Sequence, residues 1–247
     1  MHQCFKTALA IAAISAAPAA FAEEAPPSDF TVTGSVSLTT QYRLRGISQT
    51  DEDPAVQGGI TVSHSSGIYI GGWASNLSGF GTFGGSNMEL DAIIGYTKPV
   101  GNVTLDGGLI WYFYPGTSGH DYGEVYASAS VPLGPLKAKL GANYAFKDNS
   151  LGGDNLWVYT DLAFPINDTP ITLKAHGGYT TGKSFLAGPD GNYLDYSVGA
   201  DVTWKNLTLN VSYVGTDIKR APADAFFVPG GHDIVDGAIV ATLTAAF

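Results

Sequence analysis

Along residues 136–147 the side chains alternate. Leu136, Ala138, Leu140, Ala142, Tyr144 and Phe146 share one face, and Lys137, Lys139, Gly141, Asn143, Ala145 and Lys147 the other. Residues 103–114 repeat the pattern, with Val103, Leu105, Leu109, Trp111 and Phe113 opposite Thr104, Asp106, Tyr112 and Tyr114. Successive side chains on a strand point to opposite sides, so these runs predict strands with one apolar and one polar face. The same template predicts twelve strands, near 31–45, 55–65, 67–77, 87–98, 102–114, 123–132, 135–147, 155–165, 170–182, 193–204, 206–217 and 234–247. The third alternates poorly, and its faces stay unassigned.

The connections alternate in length. Short ones fall at Ser65-Ser66-Gly67, Val100-Gly101-Asn102, Gly134-Pro135, Asn167-Asp168 and Lys205-Asn206, and long ones near 46–54, 78–86, 115–122, 148–154, 183–192 and 218–233. Short periplasmic turns and longer extracellular loops are the pattern of a transmembrane antiparallel β-barrel. Aromatic residues on the apolar faces gather at strand ends: Tyr42, Trp111, Phe113, Tyr144, Phe146, Tyr179 and Tyr213 at one end, Tyr96, Phe164, Trp204 and Phe247 at the other. Two such girdles mark the bilayer interfaces. A soluble β-sandwich also alternates, but it buries its large apolar residues mid-sheet. The predicted strands also match the roughly 9–11 residues that cross a bilayer at a tilt. The expected fold is therefore all-β, an antiparallel outer-membrane barrel spanning 31–247. Phe247 closes a final alternating face with Ala245, Leu243, Ala241 and Ile239, which resembles the assembly signal read by the barrel-assembly machinery.

Composition narrows the picture. The chain opens with Lys6, an Ala-rich apolar run near 8–17 and the small-x-small triplet Ala20-Phe21-Ala22, the layout of a secretory signal peptide. Cleavage is expected between Ala22 and Glu23, leaving a short acidic lead over 23–30. A structural N-terminal helix is the alternative. The one cysteine, Cys4, lies within the removed segment, so no disulfide scaffold, thiol nucleophile or cysteine metal site is expected. Net charge is −10, which argues against nucleic acid as a partner. No later run has the ~18 uninterrupted apolar residues of a membrane-spanning helix. Bacterial outer-membrane lipid, including lipopolysaccharide, is the expected surrounding.

Residues 41–60 pose a sharper question. Tyr42 and Leu44 alternate with Arg43 and Arg45 before the chain breaks at Gly46. If Tyr42 and Leu44 face lipid, both arginines face the lumen near the outer mouth, where Asp236 is the expected partner. Tyr42-Arg43-Leu44-Arg45-Gly46-Ile47-Ser48-Gln49-Thr50, Pro54-Ala55-Val56-Gln57-Gly58-Gly59 and the block Ser66-Gly67-Ile68-Tyr69-Ile70-Gly71-Gly72-Trp73-Ala74-Ser75-Asn76 resemble motifs of the TorF family of porins. The resemblance covers about the first third of the mature chain. It implies an outer-membrane barrel and carries no substrate or catalytic residue.

The polar faces nominate a lumen lined by Gln41, Arg43, Arg45, Gln57, Glu89, Asp91, Asp106, Glu124, Lys137, Lys139, Lys147, Asp161, Lys174, His176, Asp195, Asp201 and Asp236. Two readings stand. These charges line a water-filled pore for ions or small hydrophilic solutes, weakly favouring cations, or they pair across strands and fill a closed barrel of structural or surface-interaction role. Twelve strands lie between barrels that fill themselves and those that leave wide channels. Whether a long loop, such as 218–233 with Phe226 and Phe227, folds into the mouth is left open by the sequence.

Other chemistry is weakly signalled, and no cofactor is expected. His64-x-Ser66 has the spacing of a nucleophile and base on one face, as in an outer-membrane lipid hydrolase, but lacks an orienting third group. His176 reads as a hydrogen-bonded lumen residue rather than a metal ligand. Asp190-Gly191-Asn192 with Asp195 lacks most of a calcium loop and is good turn chemistry. Asp51-Glu52-Asp53 reads as a solvated acidic loop or a bridge for divalent ions to lipopolysaccharide. Residues 79–85 read as a glycine-rich loop tip, since they open no helix.

Overall fold

The computed structural model describes residues 29–147, 150–228 and 230–247; the expected signal peptide, its cleavage site and most of the acidic lead lie outside them. Fourteen strands follow in chain order: β1 (Phe30–Thr39), β2 (Arg43–Leu44), β3 (Ile47–Ser48), β4 (Ala55–His64), β5 (Ile68–Asn76), β6 (Met88–Val100), β7 (Val103–Phe113), β8 (Tyr122–Leu133), β9 (Leu136–Ala145), β10 (Asn155–Pro165), β11 (Ile171–Gly182), β12 (Asn192–Trp204), β13 (Leu207–Thr216) and β14 (Ala238–Ala246). One short helix, α1 (Arg220–Phe226), precedes β14. Twelve strands close into an antiparallel barrel, each paired with its neighbours in the chain, while β2 and β3 form a separate two-stranded hairpin.

The seam joins first strand to last. Ser35 faces Ala246 and Thr39 faces Thr242, and Gly34 and Phe247 exchange backbone hydrogen bonds at 2.8 and 2.9 Å. At the short connections, Gly101 and Gly134 take φ of 62° and 64°. Each is the first residue of a two-residue turn, the place where a hairpin that follows strand twist asks for glycine.

Alternation decides the faces. Ile70 (55% exposed), Leu109 (53%) and Leu140 (60%) point outward from mid-strand, where a soluble protein would bury them. The outward aromatics lie at the strand ends, with Trp111, Phe113, Tyr179 and Tyr213 near the long loops and Tyr96, Phe164, Trp204 and Phe247 near the short turns. In β5, Ile68 and Ile70 face out while Tyr69 and Ser75 face in, which settles the strand whose pattern was unreadable. Glycine runs at Gly71-Gly72 had erased its contrast.

Two strand ends differ from expectation. The first barrel strand stops at Thr39, not Arg45, and the last begins at Ala238, so Asp236 is a loop residue. The chain instead reverses at Arg45 and Gly46, with φ of 49° and 81°, the paired positive values of a type I′ turn. A side chain at Gly46 would lie 2.6 Å from Thr216 Cγ2, so glycine serves both the turn and the close approach. Tyr42 accordingly lies inside, against Trp73 at 5.2 Å between ring centres, and not in the outer girdle.

Leu109→Arg places a cation in the middle of the outward belt. It is expected to cost about 2–4 kcal/mol of unfolding free energy in lipid vesicles, whereas inward Ser197→Ala is expected to stay within about 0.5 kcal/mol. Equal effects would contradict the assigned faces.

Candidate functional site: the lumen and its inner plug

Three of the long connections and the first hairpin converge on the barrel interior. The β2–β3 hairpin enters the lumen with Arg45 at its tip. The Arg45 guanidinium donates to Glu124 Oε1 and, at 3.1 Å, to Asn155 Oδ1, and it lies 4.8 Å from the centre of the Trp157 ring. The Arg45 side chain is 4% exposed and that of Glu124 0%. Glu124 Oε2 accepts from Asn143 Nδ2 at 2.9 Å and from the Tyr112 hydroxyl at 3.1 Å. One strand pair away, Glu89 accepts from the hydroxyls of Tyr42 (2.8 Å) and Tyr114 (3.1 Å). Charge-assisted bonds of this kind are the strong ones, and here they answer both carboxylates.

The hairpin is held from behind as well. Ser48 N–H donates to Ile234 O and Gln49 N–H to Tyr42 O. Arg43 bonds Gln41 Oε1 at 2.7 Å and the backbone carbonyls of Gly46 and Asp236, each at 2.8 Å. The expected pairing of the arginines with the Asp236 carboxylate is therefore corrected. Arg43 uses its carbonyl, Arg220 takes its carboxylate at 2.8 Å, and Arg45 reaches Glu124.

A roof covers the hairpin. Ile47 packs with Tyr193, Ala223, Phe227, Ile234 and Val235. Phe80 meets Phe227 edge-on at 5.0 Å, and Phe83 meets Tyr114 at 4.5 Å and Phe185 at 5.4 Å. Burying each such side chain stabilises by about 1.5–3 kcal/mol. The space left among Arg45, Ile47, Phe80, Phe83, Phe185 and Phe227 is about 20 Å³, room for roughly one water. Phe227 and Ala223 of α1 are thus buried at the mouth while Phe226 is 38% exposed, which answers for residues 218–233 what the sequence left open. The hairpin and the glycine-rich loop around Gly79–Thr82, which sequence reasoning left outside, fold in as well.

Below the plug the character changes. His176 Nδ1 lies 2.6 Å from Asp161 Oδ1, and its Nε2 lies 2.8 Å from Asp195 Oδ1. Both nitrogens facing carboxylates suits the doubly protonated ring. Asp195 also accepts from Trp157 Nε1 at 2.9 Å. The Tyr69 hydroxyl donates to Asp106 Oδ1 at 2.8 Å and meets the Tyr126 hydroxyl, and Lys139 lies over Tyr159 at 5.4 Å. The Tyr159 ring lies against Gly141, where a Cβ would clash with it. Asp161 and Lys174 keep side chains 43% and 33% exposed, and Lys174 stands 3.8 Å from Asp201. Gln57 reaches Ser75 at 3.4 Å, and Lys137 and Lys139 occupy inward positions of β9. The opposite wall presents hydroxyls, such as Ser37 to Thr244 and Thr39 to Thr242. Lys147 lies past the end of β9 and is exposed, so it is no part of the wall.

Elsewhere, His64 Nδ1 meets Ser66 Oγ at 2.8 Å within its own turn, while Asp29 is taken by Ser65. Asp190 and Gly191 form the turn before β12, and Asp195 points into the lumen. Asp51 and Glu52 form the turn that leads the hairpin back to β4, both at positive φ.

A family model described as "Bacterial protein of unknown function (Gcw_chp)" matches residues 23–247. Its description does not carry the TorF name. No curated protein matches the chain. Among solved structures, the NanC porin is 12% identical with a TM-score of 0.58, covering 88% of this chain and 99% of its own. An outer membrane channel from Pseudomonas putida F1 is 12% identical with a TM-score of 0.46, covering 90% of this chain and 96% of its own. The likeness to NanC is one of fold: a closed barrel of the outer-membrane porin type.

Arg45→Ala strands the buried Glu124 charge and is expected to cost about 3–5 kcal/mol, seen as faster hydrogen exchange at the Ser48 and Gln49 amides while the barrel strands stay protected. Unchanged exchange there would show that the pair does not hold the hairpin. A second expectation concerns the roof. Asp224 accepts from the His232 ring at 2.7 Å and from its backbone N–H at 2.9 Å, and this bond raises the His232 pKa against its slight desolvation. A raised folded value means that the clasp is fully present below the unfolded pKa near ~6.5 and is lost as pH rises through the folded value. Asp224→Asn should move the His232 midpoint in an NMR titration down toward ~6.5; an unmoved midpoint would refute the clasp.

Proposed function

The chain belongs to the Gcw_chp family of bacterial proteins of unknown function, and we propose that it is an outer-membrane channel for passive diffusion of ions or small hydrophilic solutes, with its mouth closed by the β2–β3 hairpin. One observation carries this reading: the barrier is a loop and not the barrel wall. Beneath the hairpin the interior holds half-exposed Asp161 and Lys174 and small hydroxyl residues, whereas the hairpin seats on the wall through hydrogen bonds and one ion pair. The hairpin and the roof that Ile47 packs against are both carried on loops, so they can move together without rearranging a barrel strand.

The acidic groups around the seat, Glu89, Asp91, Glu124 and Asp195, support a weak preference for cations once Arg45 withdraws. The layout of the first 22 residues supports export through a cleaved signal peptide, and the outward belt suits outer-membrane lipid, lipopolysaccharide included. The final strand ending at Phe247 suits recognition by the barrel-assembly machinery. A concentration gradient drives such a channel, and no cofactor enters. The full burial of the Arg45–Glu124 pair favours a second reading, a permanently closed barrel with a structural or surface-interaction role.

Planar-bilayer recording separates the two. The refolded wild-type chain is expected to give small, brief conductance steps, and replacing residues 43–48 by a Gly-Ser linker to give steps several-fold larger. The reversal potential in a salt gradient should favour cations. That bias should fade between 0.1 and 1 M salt, as the screening length falls from about 10 Å to about 3 Å. Silence from both proteins, each correctly folded, would overturn the channel and favour the closed barrel.

A further inference from the structure

Arg45 and the surface that receives it belong to different parts of the molecule. Glu124 lies on β8, and Asn155 and Trp157 lie on β10, all fixed in the barrel wall, whereas the guanidinium arrives on a loop. We propose that this seat is a binding site for soluble guanidinium-bearing cations, for which Arg45 is the tethered stand-in. The proposal rests on the channel reading and names the class of solute that such a channel would take.

The seat is built without Arg45. Asn143 and Tyr112 hold Glu124 Oε2, which leaves Oε1 aimed at the cation. Asp195 holds the Trp157 indole through Nε1 at 2.9 Å, and His176 holds Asp195 at 2.8 Å. A planar carboxylate acceptor, an amide oxygen and a flat aromatic face converge on one point. That combination fits a planar guanidinium with its fork of donors better than a compact ammonium.

Two further observations point to an occupant other than Arg45. The fit of the tethered group is incomplete: the Arg45 Nε–H is buried without an acceptor. An untethered guanidinium is free of the hairpin's geometry and can turn to meet more of the wall. The seat also offers more acceptors than Arg45 uses. Glu89 and Asp91 lie at the level of Glu124, and Asp91 Oδ1 is buried without a partner. An oxygen left in this state can accept from a donor that reaches it.

The test is calorimetric titration of the full chain, refolded in detergent micelles, with methylguanidinium. Arg45→Ala should bind it saturably and more tightly than wild type, whose seat is filled. Methylammonium should bind Arg45→Ala about tenfold more weakly. Adding Glu124→Gln, or Trp157→Leu, to Arg45→Ala should weaken methylguanidinium binding by about tenfold each, as expected for a lost charged hydrogen bond or cation–π face. If Arg45→Ala does not fold, Arg45→Gln replaces it, since its amide still donates to Glu124 but the seat holds no cation, and the same outcomes decide. Binding by Arg45→Ala no tighter than wild type, or equal affinity for the two cations, overturns the proposal. Bilayer recording of the same proteins keeps the two readings apart: conduction without binding sinks the seat alone, and binding without conduction sinks the channel alone.

Discussion

Hydrocarbon offers no hydrogen bonds. A backbone crossing it must satisfy every N–H and C=O internally, and a sheet does so only by closing on itself. The pairing of β1 with β14 is therefore the contact on which the rest depends. Closure turns one face of every strand toward lipid and the other toward an enclosed interior. It also explains why polar side chains that would look misplaced in a sandwich core line the inside, and why Ile70, Leu109 and Leu140 stand exposed.

Enclosure sets the terms for the charges within. Arg45 and Glu124 are both withdrawn from water, and such a pair returns little net stability because desolvation offsets attraction. Its value lies in placement. A guanidinium that finds one carboxylate, one amide oxygen and one indole face has a single productive position, and this fixes a two-residue hairpin that could not hold its own shape in water. The apolar roof of Phe80, Phe83, Phe185 and Phe227 then adds burial, which is less particular about geometry.

The barrel was legible because period-two runs extend for whole strands, and the inward positions of Glu89, Asp106, Glu124, His176 and Asp195 follow from parity alone. Parity failed at Tyr42 and Leu44, since a two-residue strand carries the same alternation as the end of a longer one. Arg45-Gly46 before a polar stretch carries the same local signs for a strand ending as for a hairpin. The Arg45–Glu124 contact spans 79 positions, with no local pattern to announce it. The roof was hidden for another reason. Its phenylalanines sit in three separate glycine-rich or polar loops, Phe80 and Phe83 in one, Phe185 and Phe227 in the others, where no alternation marks them as a cluster.

The roof draws its parts from both ends of the chain. Ile47 of the first hairpin packs on Phe227, Ile234 and Val235, and the Ser48 amide bonds Ile234 O, just ahead of the strand that completes the barrel. While that strand is still undocked, the hairpin lacks the surface that backs it. Sealing the wall and stopping the bore thus belong to one late step of maturation, and an unfinished barrel would be leaky at its side and its mouth together.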